Sequence, residues 1–481
     1  MKKLQTILSL VIISALVLLT LFVYEIFPFA KTEPPKLDSE IATDFSSETI
    51  AAPTEQTNFL GHIEKGISAK NAGNFEIAIR EFKAAYDLNP QSHLPFFHVG
   101  EIHLLQKNPK KAQANFLQAL KLNPTDEPSS ALLSQSLIDQ DQFTEAAEII
   151  KTLKSKSEIA IFYRGIGSIL ENSTTEAQKS FQQLASRENQ STYKNQSIKI
   201  IEAFNEFSAF EGSQEIHLKT LLARSFNQIN QFQIAKKLLF EVIKSKNDYR
   251  DAWILLGYAY LKTDQNLEAS DALEEALKID PQKPETHFYL GMSYFARQDA
   301  NKAAFHLEKA IEFGFEPRIQ AEQKLAEIYE ILGEFDKAAA KIEAVLALND
   351  SDISYFVKGT WLYLDILKNS EKAISISQKS LAAHPQNPMS YNLLAWAQIE
   401  NNQIENAKEN LFRALELNPN FDAAYLNLGR LYEKEQMFTQ AQNHYEKAAQ
   451  LGNGNSISQV ANESITNLNL LKNSTSANLL R

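Results

Sequence analysis

Between Phe59 and about Asn455 one arrangement of small and large apolar residues recurs at a period near 34, and this recurrence restricts the chain to a stacked array of like units. The clearest copy begins at Arg250 and supplies Trp253, Leu256, Gly257, Tyr260, Ala269, Leu273, Ala276 and Pro281. The copy from His93 supplies Phe96, Val99, Gly100, His103, Ala112, Phe116, Ala119 and Pro124; the copy from Asp422 supplies Tyr425, Leu428, Gly429, Tyr432, Ala441, Tyr445 and Ala448, with Asn453 in the place of the proline. These spacings describe two short antiparallel helices that bury a shared face. Gly257 and Ala269 leave room where the helices cross, and Trp253, Leu256, Tyr260 and Leu273 fill the space around the crossing. Pro281 follows a helix that it cannot continue and so separates one hairpin from the next.

Further copies begin at Phe59, Pro284 and Pro388, and weaker ones near Glu127, Glu158, Ile216, Ile319 and Ser354, giving roughly eleven units. This pattern resembles the tetratricopeptide repeat family, whose unit carries a large residue at position 4, Leu at 7, Gly or Ala at 8, Tyr at 11, Ala at 20 and 27, and Pro at 32. The resemblance implies an all-α chain, a right-handed superhelical solenoid of antiparallel helix pairs. It also implies that the first helix of each pair lines a groove for a protein or peptide through positions 2, 5, 6, 9, 12 and 13. Those positions nominate Phe97, Phe162, Tyr163 and Ile166 in the earlier repeats, and Tyr258, Phe288, Tyr289, Met292, Phe295 and Trp396 in the later ones. Aromatic residues and Met there suit an apolar peptide or helix, because they offer a large contact area at small entropic cost; packing against the next repeat is the plainer use of the same residues. A subclass of the family clamps a C-terminal carboxylate with Lys and Asn, but this chain places Ile63, Ile67, His98, Pro128 and Leu132 at those sites.

The starts step by 34 except between Glu158 and Ile216, where a surplus near Thr192 to Glu215 carries Tyr193, Ile200, Ile201, Phe204, Phe207 and Phe210 at helical spacing. The expected plan is a first block at 59–191, an extra or elongated helix at 192–215 that divides the array, a second block at 216–455, and a capping helix with tail at 456–481. The cap is expected from Ile457, Val460, Ile465, Leu468 and Leu471, which mark one apolar face among polar residues.

Ahead of the array, Leu4 to Tyr24 carries no charge. As a helix rising about 1.5 Å per residue it reaches about 31 Å, enough for a bilayer core of roughly 30 Å. It is longer than a signal-peptide core, and Pro28 sits poorly two places before Ala30 in a cleavage site. Residues 1–30 therefore read as an uncleaved transmembrane anchor and 31–58, rich in Pro, Ser, Thr and Glu, as a flexible linker. Lys2 and Lys3 place the N-terminus in the cytoplasm under the positive-inside bias, and the array outside, which for a bacterial inner membrane means the periplasm.

With 48 Lys and Arg against 59 Asp and Glu, the chain lacks the basic footprint of a nucleic-acid binder. Absence of cysteine removes thiolate metal sites and cysteine nucleophiles, and fits an oxidising compartment. No phosphate loop, H-E-x-x-H, G-x-S-x-G or calcium loop occurs. His93, His98 and His103 step by five and turn to different sides of a helix, unlike a metal pair. The expectation is a membrane-anchored, non-enzymatic scaffold without cofactor, metal or small-molecule substrate, serving bacterial envelope assembly. A periplasmic holdase chaperone is the alternative, and an enzyme with an unrecognised site is a third reading.

Overall fold

The computed structural model describes residues 59–209 and 214–479, with side chains as far as 470. The anchor expected at 1–30 and the linker at 31–58 lie outside the described residues. Among the described residues there is no strand, and no helix is long and apolar enough to cross a membrane.

Helices follow one another in pairs: Phe59–Asn71 with Phe75–Leu88, Leu94–Leu105 with Pro109–Leu122, Glu127–Ile138 with Phe143–Lys151, and Glu158–Leu170 with Thr174–Ala185. After the single helix Thr192–Ser208 come Glu215–Gln228 with Phe232–Ser245, Arg250–Lys262 with Asn266–Ile279, and then Pro284–Ala296 and Ala300–Glu312. The remaining pairs are Arg318–Ile331 with Phe335–Leu348, Ile353–Trp361 with Ser370–Ala383, Pro388–Glu400 with Ile404–Leu417, and Asp422–Lys434 with Phe438–Gly452. Helix Ser456–Leu479 closes the series. The fold is an all-α solenoid of helix hairpins.

The chain falls into two compact units that part between Asp299 and Ala300. In each unit, first helices of successive repeats pack on one another, and no successive second helices do so to the same extent among the described residues. First helices therefore form the inner face of each unit. Within a hairpin, the close approach is set by the small residue of the first helix: a Cβ on Gly66, Gly165 or Gly257 would run into Phe82, Phe181 or Leu273.

A single residue reverses the chain between the two helices of a hairpin. It has a left-handed backbone at Gly73, Lys107, Asp141, Asn172, Asn230, Asp264, Gln298, Gly333, Lys368, Asn402 and Gln436, the fifteenth position counted from each copy's start. The amide that follows reaches back to a carbonyl in the last turn of the first helix, as Asn108 N–H does to His103 at 2.8 Å. Left-handed backbone with this reach closes the C-terminus of a helix.

The helix Thr192–Ser208 stands between the fourth and fifth hairpins. It packs on both helices of the preceding hairpin and on the first helix of the following one, so it stands where a first helix would. Ile200, Ile201, Ala203 and Phe204 are buried in an apolar cluster that continues from Ala112 to Ala272. The core passes through this helix because its apolar stripe meets neighbours on two sides.

The repeat that begins near Ser354 carries one extra residue. Its first helix ends in the π-turn Leu362–Ile366, and the closing amide of Asn369 reaches Tyr363 six residues back where other repeats use five. Gly359 makes the close approach there, against Ile376 and Ile342. At the far end Ser456–Leu479 lays Ala461 and Leu468 on Tyr445 and Ala448.

Candidate functional site

The inner face is built from side chains that point away from the hairpin core on successive first helices. In the unit that ends at Asp299, its middle is filled. Phe162 is 1% exposed and stands against Phe181 at 5.7 Å, Tyr163 at 5.7 Å and Tyr193 at 5.2 Å. Tyr163 is 3% exposed; its hydroxyl donates to Gln135 Oε1 at 3.1 Å, and burial holds its pKa well above the usual phenol range. Ile166 is also buried. These three residues, expected to line a groove, are core instead. The extra helix packs on the helix that carries them, and its Tyr193 stands against Phe162. Phe97 is half-buried, edge-on to His98 at 5.1 Å and tilted to Phe116 at 6.2 Å, and belongs to the same packed region.

Farther along the same unit the face opens. Tyr258 on helix Arg250–Lys262 meets Tyr289 on helix Pro284–Ala296 edge-on, with ring centroids 5.4 Å apart. Both rings are half-buried, and burial raises both phenol pKa values. Phe288 is buried and packs edge-on to Tyr289 at 5.5 Å, so it supports the face without forming its surface. Met292 and Phe295, one and two turns on, are half-buried. The Lys262 ammonium lies over the Tyr258 ring at 5.5 Å, a cation–π contact at the border of the patch. Of the residues nominated by register, Tyr258, Tyr289, Met292 and Phe295 thus share two adjacent helices.

In the unit that begins at Ala300, Trp396 is half-buried and the Arg430 guanidinium lies over its ring at 5.3 Å. Arg430 Nη1 donates to Asn427 Oδ1 at 3.1 Å, and Asn427 Nδ2 donates to Asn392 Oδ1 at 2.9 Å, both asparagines being buried. Three first-helix side chains therefore hold one cation in a fixed place. Burial raises the carboxyl pKa of Asp365, at the π-turn, against the opposing pull of Arg430 and Lys368. Arg430, Asn427 and Asn392 were not nominated from the sequence, although Asn392 and Asn427 occupy positions 5 and 6 of their repeats. Lys262 and Tyr193 were also missed; Tyr193 lies outside the repeat register.

The three histidines do not converge. His93 pairs with Asp126 at 3.4 Å and His98 with Glu101 at 2.7 Å, while His103 is buried beside Gln106 at 3.2 Å. Among the described residues no group of three or more His, Asp or Glu is placed to hold a metal ion. What the inner faces offer is aromatic and thioether surface with fixed cations at its border, which is chemistry for holding a peptide.

Comparison with known proteins gives matches to tetratricopeptide repeat models at residues 63–127, 251–283, 390–421 and 422–451. The peroxisomal targeting signal receptor of Saccharomyces cerevisiae is 27% identical over 202 residues, covering 40% of this chain and 32% of that receptor. The type IV pilus assembly protein PilF of Pseudomonas aeruginosa is 25% identical over 216 residues, covering 44% of this chain and 71% of PilF. The chain spans about a third of the length of the first of these relatives. Among solved structures, yeast Tom70 aligns over 87% of this chain and 96% of its own, at 14% identity and a TM-score of 0.27.

Proposed function

We propose that this carrier of tetratricopeptide repeats is a scaffold that binds another protein through the inner face of its first helices, with no catalytic step of its own. The observation that carries the reading is the Tyr258–Tyr289 pair at 5.4 Å, half-exposed on two adjacent first helices and bordered by Lys262. Rings locked edge to edge lose little freedom when a partner covers them, and aromatic anchors of this kind dominate the energetics of protein contacts. The test is a double change, Tyr258→Asp with Tyr289→Asp. Recovery of the partner is expected to be lost while far-ultraviolet circular dichroism stays unchanged; full recovery would rule out this face.

The finer reading is a single-pass protein of the bacterial inner membrane, anchored through residues 4–24, whose array works in the periplasm in envelope assembly. The uncharged Leu4 to Tyr24 segment and the cysteine-free chain support it, and one relative bears the name of a pilus assembly protein. A compartment reporter fused after Arg481 tests the placement, and activity confined to the cytoplasm would overturn it. A holdase chaperone for unassembled proteins is the second reading, favoured by the Met and aromatic character of the face at Tyr289, Met292 and Phe295. Stoichiometric capture of one protein supports the scaffold, and capture of many supports the holdase.

A further inference from the structure

Within the unit that ends at Asp299, hairpin turns far apart in sequence come together. The Lys107 ammonium stands 3.4 Å from Asp264 Oδ2, across 157 residues of chain. Both residues occupy the left-handed position of their turns, with φ of 56° and 59°. A second approach lies beside the first. Lys236 is 6% exposed, donates to Gln265 Oε1 at 2.7 Å and sits over the Tyr260 ring at 5.1 Å. Burial lowers its pKa, and Asp141, at the left-handed turn of the third repeat, opposes that lowering and also acts on Tyr260. The turns of the second and third repeats therefore approach the turn of the sixth repeat and the second helix of the fifth. Between these turns lies the extra helix Thr192–Ser208, a first helix without a second one.

We propose that Lys107 and Asp264 form an electrostatic clasp that closes this unit into a ring, and that the ring opens when the pair is screened or separated. The physical ground is the imbalance between the two kinds of contact. Along the chain, each hairpin is joined to the next by buried apolar surface. Across the gap, the pair is formed by side chains that are 76% and 80% exposed, and such pairs are weak and fade with salt. Curvature set by the clasp fixes the spacing of the first helices that carry the open face at Tyr258, so a partner seated there would be held by the closed form and released by the open one. That consequence rests on the proposed protein-binding role; the clasp does not.

The full chain contains no cysteine, so two introduced thiols can be labelled alone. Spin labels at Lys110→Cys and Leu267→Cys, both exposed and just beyond the two turns, report the gap by pulsed electron resonance without any partner. A short distance is expected in low salt. In about 1 M salt, where the screening length falls to about 3 Å, the short-distance fraction should drop by roughly two-fold or more. Adding Lys107→Glu should give the long distance at low salt, and combining it with Asp264→Lys should restore the short one, with helicity unchanged throughout. A distance that ignores both salt and Lys107→Glu, or one that is long from the start, would overturn the clasp. If the gap behaves as expected but partner recovery is the same in the open and closed forms, the clasp stands and its link to binding fails.

Discussion

A Cβ placed on Gly100 would lie 2.6 Å from Cε1 of Phe116, sixteen residues on. The same spacing joins Gly66 to Phe82, Gly165 to Phe181, Gly257 to Leu273 and Gly429 to Tyr445, so one steric relationship sets the distance between the two helices of these hairpins. Gly100→Ala should lower stability by about 1–2 kcal/mol, because the Phe116 ring is fully buried and has nowhere to yield. Gly61→Ala, on a helix where the added carbon meets nothing within 4 Å, should instead raise stability by up to about 1 kcal/mol through helix propensity. Denaturant midpoints of the two variants should move in opposite directions.

A second relationship recurs between repeats. The Tyr294 hydroxyl donates to Glu274 Oε1 at 2.5 Å, and Tyr329 and Tyr363 bond in the same way to Glu308 and Glu343 of the preceding second helix. Burial, with the bond to Glu274 adding to it, pushes the Tyr294 pKa up to about 12. The folded state thus keeps a proton that the unfolded chain releases near pH 10, so this stabilisation is complete below pH 10 and is lost as pH rises through about 12. Tyr294→Phe should cost about 0.5–1.5 kcal/mol at neutral pH and remove one late-titrating phenol from the ultraviolet titration.

Asp139 carries the opposite kind of consequence. Burial raises its carboxyl to about 6, with Asp141 adding to the rise and the Gln135 amide at 2.8 Å opposing it. Protonation is favoured in the fold, so the contribution of Asp139 is most favourable below pH 4 and is lost as pH rises through about 6. Asp139→Asn should therefore stabilise the chain at pH 8, by on the order of 1–3 kcal/mol, and leave stability at pH 3.5 nearly unchanged. Equal effects at the two pH values would contradict this.

Gln436 adopts a left-handed backbone, φ 61°, at the position where Gly73 and Gly333 stand in other repeats. A side chain costs about 1 kcal/mol in that region and glycine escapes the cost. Gln436→Gly should raise stability by about 0.5–1 kcal/mol, read as a shift in thermal midpoint.

The hairpins were readable from the sequence because their demands are steric and local. Few residue types satisfy the crossing at Gly100, Gly257 or Gly429, or the stop at Pro281. The left-handed turn was half visible: Asp141, Asn172, Asn230, Asp264 and Asn402 are residue types that tolerate it, whereas Lys107, Gln298, Lys368 and Gln436 give no sign. In the repeat near Ser354, an extra residue between Tyr363 and Asn369 shifts the register, and only the π-turn shows where it is absorbed. At the candidate site, register placed Tyr258, Tyr289 and Trp396 on first helices but misread Phe162 and Tyr163. Phe162 packs on Tyr193 of the extra helix, and no periodicity in the chain says that a non-repeat helix stands against an inner face.

In the proposed function the inner face at Tyr289 receives a protein partner. A photo-crosslinking amino acid placed at Tyr289 in living cells, compared with one at Phe240, which is 50% exposed on a second helix, tests it most directly. A discrete adduct is expected from position 289 that disappears with Tyr258→Asp, and none from position 240. Equal adducts from both positions, or an adduct at 289 that survives Tyr258→Asp, would contradict it.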